Sequence, residues 1–228
     1  MLQLDDKIHN CRNCYQIEPS VANYYPVCSF GDLEKKPIWV VGINPNHVEY
    51  DGKNGGEPYL LASAKLGERR HSQLDYFSHG RYNSSFFGQV EKFFDGEVKN
   101  VVVEWERKPW EKVGFVDLVK CVSKRYTGLI TNCESYLKDQ LINSQPNLIV
   151  AYGAPVCTWF GQYLGWPPKL YEYALVQIPQ GRQRSGYCPA ISFLHQASPP
   201  GKRFSAGEVG HIRRSIIEAF KLLNSPRL

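Results

Sequence analysis

No stretch of this 228-residue chain approaches the roughly 20 consecutive apolar residues of a membrane-spanning helix. Its opening, Met1-Leu2-Gln3-Leu4-Asp5-Asp6, lacks the apolar core of a secretory signal. Internal repeats and low-complexity linkers are also missing, so a single domain over residues 1–228 is expected rather than a solenoid or joined modules. With no secretory pattern, the seven cysteines are expected as reduced thiols in a cytoplasmic chain. A large excess of charge is absent too. The net +5 permits nucleic-acid binding without establishing it, because a solvated Lys/Arg surface gives the same total. Core-forming material is plentiful, at 43% hydrophobic residues.

Strand-like and helix-like segments alternate. Pro37-Ile38-Trp39-Val40-Val41 reads as a buried strand running into the turn Gly42-Ile43-Asn44-Pro45-Asn46. Residues from about 47 to 82, rich in Gly, Ser, Tyr and charge, read as a long loop or insertion. Ser84 is placed to cap a helix carrying Phe87, Val90, Phe93 and Phe94 at helical spacing. Val101-Val102-Val103 and Gly114 to Lys120 read as strands, Thr131 to Asn143 as a helix, and Asn147 to Tyr152 as a strand stopped by Gly153. A short helix over Pro155–Tyr163, strands at Leu175–Ile178 and Ala190–Leu194, and a helix from Ser205 or Ala206 to Leu223 complete the pattern. Such alternation predicts an α/β fold with a mostly parallel sheet covered on both faces.

Four cysteines fall into two groups. Cys11-Arg12-Asn13-Cys14 is a C-x-x-C, a spacing shared by zinc, redox and iron–sulfur sites. Cys121 closes the strand-like run, and Cys133 opens the following helix, where the helix N-terminus favours a thiolate. Two distant groups beside one sheet suit a metal centre that staples the chain. Cys28, Cys157 and Cys188 are left over and read as ordinary buried thiols.

In open α/β sheets the chemistry lies at the carboxyl ends of the strands. One strand end delivers Asn44, and another delivers His195 in Leu194-His195-Gln196-Ala197-Ser198-Pro199-Pro200. Singly, a turn and a hydrogen-bonded histidine account for both. Basic pairs at Arg69-Arg70, Lys124-Arg125, Arg182 with Arg184, and Lys202-Arg203 sit in Gly-, Pro- or Ser-containing stretches, where loops on one rim suit a phosphate backbone.

Taken in order, these motifs resemble the uracil-DNA glycosylase superfamily: a Gly-x-Asn-Pro turn after the first strand, then strand–His-x-x-Ser near the C-terminus. The cysteine arrangement around Val119-Lys120-Cys121 and Cys133 is similar to its iron–sulfur branch, and the resemblance runs from about Cys11 to the last helix. It implies a three-layer α/β/α fold with a central, mostly parallel sheet of four or five strands. It also implies a structural 4Fe-4S cluster on Cys11, Cys14, Cys121 and Cys133, with zinc on the same four thiolates as the alternative. Two departures matter. Ile43 stands where that branch carries an acidic residue, which moves the catalytic role to Asn44, as in the mismatch-specific and single-strand-selective relatives. Eleven residues separate Cys121 from Cys133, fewer than the branch has.

The activity so implied is hydrolysis of a pyrimidine N-glycosidic bond in flipped-out DNA, with no membrane or obligate protein partner. Asn44 would orient the water and His195 would donate to the base O2 as charge develops. Gly42, Ile43 and Asn46 would line the base pocket. Tyr82 is the preferred stacking platform, and Tyr59 in Glu57-Pro58-Tyr59 is its rival. The loop carrying Ser198, Pro199, Lys202, Arg203 and Phe204 would enter the minor groove, with Arg203 or Phe204 filling the gap.

Base preference rests on Asp117-Leu118-Val119-Lys120-Cys121, which resembles the family's Asn-Val-Val-Lys-Cys. An amide there pairs with uracil N3–H and O4, whereas an ionised Asp117 offers acceptors only. Those acceptors oppose uracil O4 and suit the N4 amino group of cytosine, while a protonated Asp117 would restore uracil reading. Family members that take uracil place a tyrosine soon after the turn to block C5 substituents; here Asn46 leaves room. A C5-modified cytosine, such as the hydroxylated cytosines of some phage genomes, is therefore the expected target, with antiviral defence as the role. Uracil repair and a non-catalytic metal-containing nucleic-acid-binding protein are the alternatives.

Overall fold

A computed structural model describes residues 2–24, 26–31, 33–45, 85–101, 109–123, 125–165, 173–177, 187–193 and 204–223. Its centre is three parallel strands. β1 (Ile38–Gly42) lies between β2 (Val113–Asp117) and β3 (Leu148–Tyr152), with Gly42 aligned to Asp117 and Val41 to Ala151. Every residue of β1 and β2 is buried. This is why they read as unbroken apolar runs: a strand covered on both faces has no solvent side to alternate with. β5 (Tyr187–Phe193) pairs parallel with β3, and β4 (Tyr173–Gln177) pairs antiparallel with β5 at the edge.

The two-residue period of the strands divides the core. Ile38, Val40, Val113, Phe115, Leu148 and Val150 face one side, where they meet α2 (Ser85–Phe94), α3 (Glu97–Val101) and α6 (Ala206–Leu223). Trp39, Val41, Val116, Ile149 and Ala151 face the other, against α4 (Ile130–Ser144) and α5 (Ala154–Leu164). The α/β class expected from the alternation therefore holds, with helices on both faces of the parallel strands.

Two local expectations are corrected. Val101 ends helix α3 instead of opening a strand, and it is 40% exposed. Three valines favour a strand locally, but fully buried Val98 ties this turn to the α2/α6 layer, and packing overrides so short a preference. Val102 and Val103 lie outside the described residues. The N-terminus also carries an unforeseen helix, α1 (Leu2–His9), which packs on α4 and buries Leu4 and Ile8 at i, i+4 spacing beside Cys28. The segment at 47–82 and the cap at Ser84 also lie outside the described residues.

One edge of the sheet gathers the strand ends. β1, β2, β3 and β5 run parallel, so Gly42, Asp117, Tyr152 and Phe193 all reach the same carboxyl rim. Past the strands the chain stays close, with Leu118 and Val119 donating backbone bonds to the carbonyls of Gly42 and Ile43 at 2.9 and 2.8 Å. Gly42 is required for this closeness. A Cβ there would lie 2.6 Å from Phe115 Cζ and 2.7 Å from Asp117 Oδ1, too near for either. Gly153, at φ +93, lets β3 turn into α5 directly beneath the Ile43 side chain.

Candidate active site and metal centre

Asn44 is half-buried just beyond β1. Its amide nitrogen donates to the backbone carbonyls of Pro45, at 2.9 Å, and Ser123, at 2.7 Å. Carbonyls accept only, so these two bonds fix which end of the amide is which. The Oδ1 atom is left as an acceptor, which is what holding and orienting a water requires. Ser123 is itself anchored. Its hydroxyl donates to Glu18 Oε2 and accepts from the Arg125 backbone N–H at 2.8 Å. Glu18, whose other oxygen accepts from Ser20 at 2.9 Å, lines a cleft of about 880 Å³ with Pro19, Arg125 and Tyr126. This Glu18–Ser123 brace was not legible in the sequence, since 105 residues separate its partners.

Asp117 ends β2, buried to 3% exposure, and neither carboxylate oxygen has a hydrogen-bond partner among the described residues. Burial pushes its carboxyl up from 3.8 to about 7, and nearby Lys120 only partly opposes this. Lys120 was also missed. It is 1% exposed, and its ammonium donates to the Asp117 backbone carbonyl at 2.6 Å and to Gln140 Oε1 at 2.7 Å. Gln140 in turn donates to the Cys28 carbonyl at 2.9 Å. Burial lowers Lys120 to about 8, with Asp117 pulling the other way.

A stability prediction follows from Asp117. Its folded pKa lies above the unfolded value, so the folded state binds the proton more tightly. That contribution is complete below pH 3.8 and is lost as pH rises through about 7. A shift of this size corresponds to about 4 kcal/mol. Asp117→Asn should therefore raise the melting temperature clearly at pH 7.5 and little at pH 4; an equal change at both would show that the carboxyl is not desolvated.

The cysteines meet at the other end of the same segment. Sγ atoms of Cys14, Cys121 and Cys133 all lie within 4.8 Å of one another, with Cys14 and Cys133 at 3.7 Å. Cys14 sits in the turn after α1, where its carbonyl accepts from the Ile17 and Glu18 amides. Cys121 follows β2, and Cys133 lies in the first turn of α4. Val21, Val119 and Leu129 wall the group with apolar side chains. Hydrogen bonds from Cys121 and then Cys14, helped by the Lys120 backbone N–H and ammonium, hold the Cys133 thiol down at about 3. Cys121 is pushed up, mainly by its bond to Cys133. Cys14 rises to about 12: its bond to Cys121 pulls it down but is outweighed by Cys133 and burial. Among these thiols Cys133 is the one drawn toward the thiolate, the form that binds metal.

Cys11 stands outside this close set. It is buried at the end of α1, and its thiol meets the Tyr136 hydroxyl, whose pKa is raised by burial and by that bond. The donor chemistry fits a metal: three buried sulfurs with a fourth close in the chain. Metal–sulfur bonds of about 2.3 Å around a single tetrahedral ion place sulfurs about 3.8 Å apart, near the Cys14–Cys133 spacing. Cys28 and Cys157 are buried apart from the group, donating to the carbonyls of Asp5 and Ala151.

The other candidate residues divide. Ile43 is half-buried, with its side chain against the core facing α4 and α5. Phe204 packs edge-on against Phe93 at 5.1 Å and Tyr152 at 6.1 Å. Asn46, Tyr59, Tyr82, His195, Ser198, Pro199, Lys202 and Arg203 lie outside the described residues. Among those described, no helix is long and apolar enough to cross a membrane. Neither protein-family models nor curated proteins give a match to the chain.

Proposed function

We propose that the chain is a monofunctional DNA glycosylase of the uracil-DNA glycosylase type, cleaving the N-glycosidic bond of a flipped pyrimidine. The observation that carries this reading is Asn44, just past β1 at the carboxyl rim, whose amide nitrogen is held by two carbonyls so that Oδ1 remains the acceptor. Water held by Oδ1 attacks C1′ of the deoxyribose as the base departs. His195, which follows β5 by two residues in the sequence, donates to the base O2 in this reading. β5 lies two strand spacings from β1, about 10 Å, a gap that a nucleotide fills. Arg125, exposed on the cleft, and the basic loops outside the described residues take the phosphates. With Phe204 engaged in packing, Arg203 fills the space the base leaves.

The target is a C5-modified cytosine, and the role is defence against DNA that carries it. Asp117 supports this choice, because it presents a buried carboxyl where an amide would match uracil. Uracil repair remains the second reading, favoured by the same raised pKa, since a neutral carboxyl offers the donor that uracil O4 accepts. The test is base release from duplexes carrying uracil, cytosine, 5-methylcytosine, or 5-hydroxymethylcytosine with and without a sugar. Release of the modified cytosine with cytosine spared is expected; uracil release alone would reject the target, and retention of DNA without abasic sites would reject catalysis.

The metal is structural. Cys14, Cys121 and Cys133 hold it, with Cys11 as the fourth ligand of a 4Fe-4S cluster, and it ties the N-terminal segment to the segment after β2 and to the start of α4. A single zinc ion on the same thiolates is the second reading, favoured by the 3.7 Å Cys14–Cys133 spacing, and visible absorbance with metal analysis of the purified protein separates the two.

A further inference from the structure

Asp117 has a chemical problem that reading the base does not solve. Cytosine is a poorer leaving group than uracil: it has one carbonyl fewer to carry negative charge, and its amino group feeds electrons into the ring. An enzyme that releases it gains from protonating it as it leaves. N3, beside the N4 amino group on the edge a carboxyl would face, is the basic ring atom. A neutral carboxyl matches that edge with one O–H donor and one carbonyl acceptor.

Resting on the glycosylase reading, we propose that the neutral Asp117 carboxyl donates its proton to N3 of the flipped cytosine while its other oxygen accepts from N4. One side chain thereby both recognises the base and activates its departure. The site is built for this. Both oxygens are buried and unpartnered among the described residues, at the rim that also carries Asn44. Only glycine at the end of β1 is compatible with this carboxyl position, since a Cβ at Gly42 would lie 2.7 Å from Oδ1. Lys120, the charged group acting on Asp117 among the described residues, directs its hydrogen bonds to the Asp117 backbone carbonyl and Gln140 and leaves the carboxyl oxygens uncommitted. Desolvation keeps the proton on the carboxyl up to about neutral pH.

The step balances. The Asp117 O–H bond breaks as N3–H forms, and the electron pair of the C1′–N1 bond leaves with the base as a neutral tautomer. The oxygen of the water on Asn44 bonds to C1′ and releases a proton to solvent, and solvent returns one to Asp117. No redox partner is needed.

The experiment compares wild type with Asp117→Asn on duplexes carrying a single 5-hydroxymethylcytosine, bare or sugar-modified, under single turnover from pH 5.5 to 9. Asparagine keeps one donor and one acceptor toward N3 and N4 but has no proton to give. Wild-type release should fall about tenfold per pH unit above neutrality. The variant should be flat with pH and about 100-fold slower at pH 6, with duplex affinity nearly unchanged. Uracil release by the variant should not fall, since that anion leaves without help. A falling limb that persists in Asp117→Asn would overturn the proposal and point to His195. So would a rate loss fully explained by weaker binding. A wild type that releases uracil alone removes the cytosine target and this proton transfer with it. One that releases no base removes the glycosylase reading itself.

Discussion

Asn44→Ala should abolish base release while leaving the fold and DNA affinity nearly intact. Misplacing an attacking water costs on the order of 100-fold or more, because positioning is most of what an amide contributes to this reaction. The structural cost is small by comparison. Two neutral hydrogen bonds, to Pro45 and Ser123, are lost at about 1 kcal/mol each. Asn44→Asp is not conservative here: a carboxylate would set acceptors against both carbonyls, so it should lose stability as well as activity. Single-turnover release, thermal melting and duplex binding separate these outcomes. Near-normal turnover in Asn44→Ala would mean that another group holds the water, and His47, Asp51 and Glu57 would be next to test.

Replacing Cys133 with Ser should remove metal and fold together. The site joins a turn after α1, the segment after β2 and the start of α4, which are otherwise tied near the thiols by the Ser123–Glu18 bond and by Asn132 donating to the Asn13 carbonyl. Metal binding is folding energy in such a case, and structural thiolate sites contribute on the order of 10 kcal/mol, comparable to a whole domain's stability. Cys133 lies between the other two, bonding Cys121 and Cys14, so its loss opens the whole group. Cys121→Ser should behave alike. Cys28→Ser and Cys157→Ser should keep full metal content, because those thiols lie outside the close group and donate to the carbonyls of Asp5 and Ala151. Metal analysis alongside circular dichroism decides the matter: a folded Cys133→Ser protein with unchanged metal would make the group ordinary thiols.

Loss of the metal should also reach Asn44. Glu18 follows Cys14 by one turn, and Ser123 follows Cys121 by two residues. These two side chains bond each other, and the Ser123 carbonyl holds the Asn44 amide. The thiol site therefore stands directly behind Asn44, the residue proposed to hold the water.

What the sequence determined by itself is the local grammar. Ile38 to Val41, Val113 to Val116 and Leu148 to Ala151 announce themselves as buried strands because both their faces are covered, and α4, α5 and α6 announce themselves by spacing. Cysteine spacing singled out Cys11, Cys14, Cys121 and Cys133 as a metal group, of which Cys14, Cys121 and Cys133 come close together. The tertiary structure decided what depends on distant neighbours. It made Val101 helical through the burial of Val98, fixed the Asn44 amide nitrogen on the Ser123 carbonyl, and set Cys11 against Tyr136 apart from the other three thiols. Above all it desolvated Asp117 beside Gly42 and buried Lys120 on Gln140. Residue type supplies a carboxyl; whether that carboxyl carries a proton at neutral pH is set by the water it loses and the charges it meets, and those come from segments far away in the chain.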